Sequence, residues 1–111
     1  PTELVYLDLS YSYCECLQPF YKRFLNISRM NLRNCKFLQQ IPDLSGASNL
    51  TKLRFDACTN LTEIHDSVGC LNKLRELNAM QCKNLKILPS RLRLTSLEHL
   101  QVFSHFQKYQ S

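Results

Sequence analysis

The sequence predicts an α/β solenoid in which a curved parallel sheet of about five short strands forms the concave side. Loops and short 3-10 or helical turns are expected on the convex side. Three observations predict this fold: apolar residues recur every 23 or 24 residues, a cysteine recurs with the same spacing, and two apolar residues in each unit are separated by one residue. The last spacing points both side chains to one face of a strand.

The repeat is clearest in three segments that begin at Ile27, Leu50 and Leu74. All three follow one template: apolar-x-x-apolar-x-apolar-x-x-Cys-x-x-Leu-x-x-apolar. The register continues outward to Leu4 and Leu97, so the five units begin 23, 23, 24 and 23 residues apart. All fifteen positions in the first three columns are apolar, in a chain that is 44% hydrophobic. Such self-similarity is typical of repeats that bury their apolar faces against their neighbours.

The strand of each unit is expected around the second and third apolar columns, because short strands become stable when copies stack over one core. The return segment turns further apolar residues inward, and Pro42 and Pro89 stop a helix from continuing there. Residues 66–71 are expected to form one short helical turn. The inward residues of the return segments are Leu38, Ile41, Leu44, Leu61, Ile64, Val68, Leu71, Leu85, Leu88 and Leu92.

The repeat array accounts for the whole chain, 1–111, as a single unit. Residues 10–24 leave the template and are expected to form an irregular connection, and residues 103–111 form a degenerate tail. Both ends lack the polar caps that close a solenoid. We therefore expect the chain to be a fragment or a truncated product of a longer protein.

The cysteine column marks the turn that leaves each strand, where buried backbone groups need partners. A thiol is a weak donor that tolerates burial, so these cysteines are expected to be structural. Strands about 4.8 Å apart leave a disulfide open on distance alone, but three stacked cysteines cannot all pair, and free thiols are expected. Cys14-x-Cys16 lacks a second ligand pair, so no zinc site is expected. The structural ladder of this column holds Ser12, Cys35, Cys58, Cys82 and His105.

The residues that alternate with the buried columns are expected to form the concave surface. Four basic residues gather in the second and third units, and a methionine and a phenylalanine are exposed in the later units. An exposed methionine beside an aromatic ring is typical of a protein contact, and an ordinary solvated surface is the alternative. The candidate partner surface holds Tyr6, Asp8, Arg29, Asn31, Arg33, Lys52, Arg54, Asp56, Glu76, Asn78, Met80, His99, Gln101 and Phe103.

Charge and residue spacing narrow the classes of function. The net charge is +5, from 14 Lys and Arg against 9 Asp and Glu, but the basic residues are more scattered than in usual nucleic-acid patches. No stretch approaches the roughly 20 apolar residues of a membrane helix. The spacing suggests no Ser-His-Asp or Cys-His set, and His65, His99 and His105 are expected to be structural or solvated. An enzymatic function is not expected.

Four stretches within residues 41–98 carry a distinctive pattern. Residues 41–50 read Ile-Pro-Asp-Leu-Ser-Gly-Ala-Ser-Asn-Leu, residues 58–71 read Cys-Thr-Asn-Leu-Thr-Glu-Ile-His-Asp-Ser-Val-Gly-Cys-Leu, and residues 82–90 read Cys-Lys-Asn-Leu-Lys-Ile-Leu-Pro-Ser. With Leu-Thr-Ser-Leu-Glu at 94–98, they resemble the leucine-rich repeats of plant disease resistance proteins that carry an N-terminal Toll/interleukin-1-receptor domain and a central nucleotide-binding domain, the TIR-NBS-LRR class. The resemblance covers residues 4–102.

The resemblance implies a protein-recognition module of an intracellular plant immune receptor. Its repeats would sense a pathogen effector or a modified host protein and would regulate the nucleotide-binding switch of the parent protein. The implied partners are the effector or guarded host protein and the nucleotide-binding domain of the same receptor. No cofactor is expected in this segment, which has no phosphate-binding G-x-x-x-x-G-K-[ST] loop; the family's ADP/ATP and NAD chemistry belongs to other domains.

The expected location is the cytoplasm, with the nucleus as an alternative and no membrane association. Extracellular plant repeat receptors usually carry glycine at the position that Gln39, Thr62 and Lys86 occupy here. Two other functions stay open. A basic nucleic-acid-binding solenoid would show steeply salt-dependent affinity, and a non-functional truncated remnant would fail to fold alone.

Overall fold

The computed structural model describes residues 5–15, 26–87 and 89, together with the backbone of residues 99–101. Short strands dominate it, and the described residues contain one 3-10 helix, Asp66–Cys70. The strands are β1 (Tyr6–Asp8), β2 (Arg29–Asn31), β3 (Gln40–Ile41), β4 (Lys52–Arg54), β5 (Glu63–Ile64), β6 (Glu76–Asn78) and β7 (His99–Gln101).

Five of these strands form one parallel sheet in the order β1-β2-β4-β6-β7. The parallel strands predicted by the sequence are therefore present. Each strand pairs with the strand of the next unit at equivalent positions, so the residues of one sequence column lie side by side. The central column of this register is Leu7, Met30, Leu53, Leu77 and Leu100.

The core lies on one side of this sheet and is filled from both the strands and the return segments. Phe55, Leu32 and Leu50 are fully buried beside the strands. The predicted inward residues of the return segments are also buried wherever the structure describes them; Leu88 and Leu92 lie outside its description. Burial of one apolar side chain contributes about 1.5–3 kcal/mol, so the repeated columns supply much of the stability.

The return segments contain a second, smaller ladder that the sequence did not predict. Strands β3 and β5 pair in parallel, and Glu63 forms an isolated bridge with Ile87. The Thr62 amide donates to the Gln39 carbonyl at 2.9 Å, and the Lys86 amide donates to the Thr62 carbonyl at 2.9 Å. The equal repeat length brings these segments together, but two-residue strands are too short to show an alternating pattern.

The predicted helical turn at 66–71 is confirmed as the 3-10 helix Asp66–Cys70. His65 precedes the helix, and its Nδ1 accepts a hydrogen bond from the Ser67 amide at 3.0 Å. Val68 is buried on the inner side of the helix. His65 therefore has a capping role in this structure.

A left-handed residue turns the chain just before each described ladder position. Tyr11, Asn34, Ala57 and Gln81 have φ of 61°, 60°, 60° and 63°, and none of them is glycine. This conformation costs a non-glycine residue about 1–2 kcal/mol. The strain is offset by hydrogen bonds between repeats, since the Tyr11, Asn34 and Ala57 amides donate to carbonyls of the next repeat at 2.8–2.9 Å.

The cysteine ladder also ties each repeat to the preceding one. The thiol of Cys35 donates to the Leu9 carbonyl at 2.9 Å, that of Cys58 to Leu32 at 3.0 Å, and that of Cys82 to Phe55 at 3.1 Å. No disulfide joins the described cysteines. Ser12 lies at the start of the ladder, with its Oγ 3.6 Å from the Cys35 sulfur.

Burial of the ladder changes thiol acidity. Burial raises the pKa of Cys58 to about 12 and that of Cys82 to about 11, because the thiolate would lose its hydration inside the core. The Cys58 and Cys82 thiols are therefore in their protonated, donating form at neutral pH. His105, the last predicted ladder residue, and the predicted tail 103–111 lie outside the described residues, as does most of the predicted connection 10–24.

Gln81→Gly should stabilise the protein, because glycine adopts φ near 63° without the steric cost that glutamine bears. We expect the free energy of unfolding to rise by about 0.5–1 kcal/mol after the entropy of the unfolded glycine is subtracted. The matched control is Gln39→Gly, at another exposed glutamine that lacks a positive φ. Urea titrations should show stabilisation for the first and destabilisation for the second; a loss of stability in both would contradict the strain.

The buried thiols should make stability fall above pH 9. The unfolded chain releases their protons near pH 9.0, whereas the fold retains them to about pH 12 at Cys58 and about 11 at Cys82. Below pH 9 the two thiols make their full contribution to the free energy of unfolding. This contribution decreases as the pH rises, by about 1 kcal/mol for each thiol at pH 10.

Urea unfolding between pH 8 and 10 measures this loss. Cys58→Ser should flatten the profile, while Cys70→Ser, at an exposed cysteine, should leave the profile of the original protein unchanged. Parallel profiles for the original protein and the Cys58→Ser variant would refute the effect.

Candidate functional site

The strands place a row of polar side chains on the face of the sheet opposite the core, which we call the open face. Successive residues of a strand alternate between faces, so the residues on either side of each buried central residue point there. A depression of about 380 Å³ lies on this face across β1, β2, β4 and β6. The open face comprises Tyr6, Asp8, Arg29, Asn31, Lys52, Arg54, Glu76 and Asn78.

The open face gathers eight of the fourteen candidate residues. Arg33, Asp56 and Met80 lie in the turns that follow the strands. For His99 and Gln101 the structure describes only the backbone, in β7, and Phe103 lies outside the described residues.

Three members of the open face are engaged in closing turns. Oδ1 of Asp8, of Asn31 and of Asn78 each accepts the amide of the residue two positions later, at 3.0 Å. The Ser10 hydroxyl also donates to Asp8 at 2.6 Å, and the two hydrogen bonds from Ser10 lower the pKa of Asp8. These residues were predicted only to contact a partner. Asp or Asn directly after a buried strand residue is the signal that could have revealed the turn.

Asp56 was predicted to be exposed, and this prediction is wrong. Its residue exposure is 7%, and it lies against two arginines. Arg54 donates from Nε to Oδ1 at 2.6 Å and from Nη2 to Oδ2 at 3.3 Å, and Arg33 forms an ion pair with Oδ2 at 3.4 Å. Hydrogen bonding to Asp56 raises the pKa of Arg54. A carboxylate can be buried here because two guanidinium groups compensate its lost hydration.

The positive charge of the four basic residues of the second and third units, Arg29, Arg33, Lys52 and Arg54, is therefore partly neutralised. Arg33 and Arg54 share Asp56, and Lys52 Nζ lies 3.3 Å from a Glu76 carboxylate oxygen. Arg29 makes no ion pair with the residues that the structure describes. The open face is thus a mixed-charge surface with a moderate positive excess.

Three exposed aromatic side chains were not among the predicted site residues. Tyr11 and Tyr13 are 61% and 83% exposed, and Phe37 is 45% exposed. The Arg33 guanidinium lies 5.8 Å from the centre of the Tyr11 ring, and the Tyr13 and Phe37 rings are 5.6 Å apart. These residues lie outside the strand columns, so the strand period gave no signal for them.

Within residues 5–15, 26–87 and 89, no group of three or more His, Cys, Asp and Glu side chains could hold a metal ion. The described part of the chain contains no helix with the length and apolarity to cross a membrane.

Relatives of this chain are found among plant resistance proteins. The disease resistance proteins RML1A and RPP2A of Arabidopsis thaliana are both 35% identical to it, over 86% and 90% of this chain and 10% and 8% of their own lengths. TMV resistance protein N of Nicotiana glutinosa is 35% identical over 87% of this chain and 8% of its own length. None of the three is named for an enzymatic activity.

No protein-family model and no solved structure matches the chain. The chain spans a tenth or less of these three relatives. A shared identity of 35% over most of its residues nevertheless identifies its family: the chain belongs to the plant disease resistance proteins of the TIR-NBS-LRR class and matches a short segment of them.

Proposed function

We propose that the chain is a leucine-rich-repeat solenoid that serves as a protein-recognition module of an intracellular plant immune receptor. The observation that carries the proposal is the open face, on which the parallel register aligns side chains of different chemistry around one depression. Extended surfaces formed by stacked repeats are well suited to binding other macromolecules.

The partner we propose is a protein, either a pathogen effector or a modified host protein. The ion pairs of Lys52 with Glu76 and of two arginines with Asp56 leave only a moderate positive excess. A nucleic acid presents a continuous row of phosphates and favours a denser set of cations. A mixed-charge face beside exposed tyrosines is closer in composition to protein interfaces, in which Tyr and Arg are enriched.

Recognition would act on the rest of the receptor through a shift between two states. In the proposed mechanism the repeats contact the nucleotide-binding domain in the resting state, and partner binding favours the state in which that contact is lost. The partner must bind one state more tightly than the other, since a partner with equal affinity for both states does not change their populations. Nucleotide and NAD chemistry would belong to other domains, so we propose no catalytic role or cofactor for this segment. We place its function in the cytoplasm or the nucleus.

A photo-crosslinking amino acid at position 29 tests the proposal. It is introduced into the full-length protein that carries this chain, in infected and uninfected plant cells. We expect a discrete protein adduct that depends on infection, because Arg29 lines the depression of the open face. The same amino acid at the exposed Lys86, on the return segments, is the matched control and should yield no such adduct.

Charge reversal gives a second measurement of the same contact. Arg29→Glu should weaken binding of the crosslinked protein by about tenfold or more, equivalent to about 1.4 kcal/mol, whereas Lys86→Glu should not. The melting temperature should stay unchanged in both variants. Crosslinking to nucleic acid, or equal adducts from both positions, would contradict the proposal.

A further inference from the structure

Two arginines and one aspartate form a cluster at the edge of the open face, and its charges do not balance. Arg33, Arg54 and Asp56 together carry two positive charges and one negative charge. The arginine side chains are 45% and 43% exposed, whereas the aspartate side chain is 10% exposed. The negative charge therefore lies beneath, and the surplus positive charge faces solvent.

Asp56 holds Arg54 in a fixed orientation. The hydrogen bonds from Nε and Nη2 occupy both carboxylate oxygens and use two of the five N–H donors of the guanidinium. A bidentate contact of this kind defines the plane of the guanidinium group. The three remaining N–H donors are on Nη1 and Nη2 of a side chain that is 43% exposed.

Arg33 is held on two sides. It forms an ion pair with Oδ2 of Asp56 at 3.4 Å, and its guanidinium lies 5.8 Å from the centre of the Tyr11 ring. Tyr11 is itself one of the left-handed residues, and its amide donates to the Arg33 carbonyl at 2.8 Å. The turns of two neighbouring repeats thus fix the guanidinium before any partner arrives, which lowers the entropic cost of binding.

We propose that this cluster recognises a carboxylate of a partner protein, which completes an arrangement of two arginines and two carboxylates. The proposal rests on the proposed function and adds the chemistry of the partner: an aspartate or glutamate in an acidic segment. The second carboxylate neutralises the surplus charge and accepts from the donors that Asp56 leaves available. The exposed Tyr11 ring offers an apolar contact beside it.

A protein carboxylate suits the surroundings better than a nucleic-acid phosphate. Asp8 and Glu76 lie on the same open face, and Lys52 is already paired with Glu76. A polyanionic strand would bring successive phosphates close to these acidic groups. A single carboxylate on a protein surface requires only the one unbalanced position.

Nuclear magnetic resonance can detect this recognition directly, through the Nε–H signals of Arg33 and Arg54 in the 111-residue chain. The probe is a peptide of alternating glutamate and serine, and its control has glutamine at every glutamate position. We expect saturable shifts of both arginine signals with the glutamate peptide at millimolar concentration or below, and none with the glutamine peptide. Inorganic phosphate and a single-stranded oligonucleotide should bind the cluster at least about tenfold more weakly.

Three variants separate charge from geometry. Arg33→Gln leaves the bidentate Arg54–Asp56 contact in place and should weaken binding about tenfold without loss of fold. Arg33→Lys retains the charge but loses the planar guanidinium group. Its affinity for the glutamate peptide should therefore lie between that of the unaltered chain and that of Arg33→Gln. Lys86→Gln, which removes an exposed charge elsewhere, should bind like the unaltered chain.

Three results would overturn the carboxylate site. They are equal binding of the glutamate and glutamine peptides, tighter binding of the oligonucleotide, and equal weakening by Lys86→Gln and Arg33→Gln. A protein adduct at position 29 combined with any of these results would reject the site and retain the proposed function. Absence of the adduct would reject the proposed function, while the peptide titration would still report on the chemistry of the cluster.

Discussion

The stacking of each repeat on the next in strict parallel register is the constraint on which the rest of the structure depends. The Leu32 amide donates to the Arg54 carbonyl at 2.6 Å, and the Phe55 amide donates to the Asn78 carbonyl at 2.9 Å. The buried thiols extend this pattern, because the Cys58 thiol donates to the Leu32 carbonyl and the Cys82 thiol donates to the Phe55 carbonyl. Strands of three residues are not stable in isolation. The spacing of the side chains on the open face is therefore set by the pairing of each strand with its neighbours.

The strand columns could be predicted from sequence because burial acts on each repeat in the same way. Met30 and Leu53, one repeat apart, are each 1% exposed, and any polar residue there would leave the core incomplete. The burial of Asp56 could not be predicted in this way, because it depends on arginines from two different repeats. The pairing of β3 with β5 was missed for another reason: its strands are two residues long and show no period.

The open face combines two columns of side chains, of which one closes the turns after the strands and the other does not. Asp8 and Asn31 belong to the column whose side-chain oxygens close the turn after the strand, and Asn78 continues it. The turn favours short acceptor side chains in this column. The other column closes no such turn and holds a phenol, two cations and a carboxylate: Tyr6, Arg29, Lys52 and Glu76. The fold does not restrict the residue types in this column, so this column is available to determine specificity.

Arg54 belongs to the turn-closing column but does not close a turn. A guanidinium has no acceptor and cannot make the hydrogen bond that Asn31 and Asn78 make. Its side chain instead binds Asp56, two residues later, through two charged hydrogen bonds. Among the four strands whose side chains the structure describes, Arg54 is the one departure from this local rule, and such a departure is where a function is expected to lie. Here the third repeat replaces a backbone contact with an ion pair, and the same replacement brings a fixed, half-exposed cation to the edge of the open face.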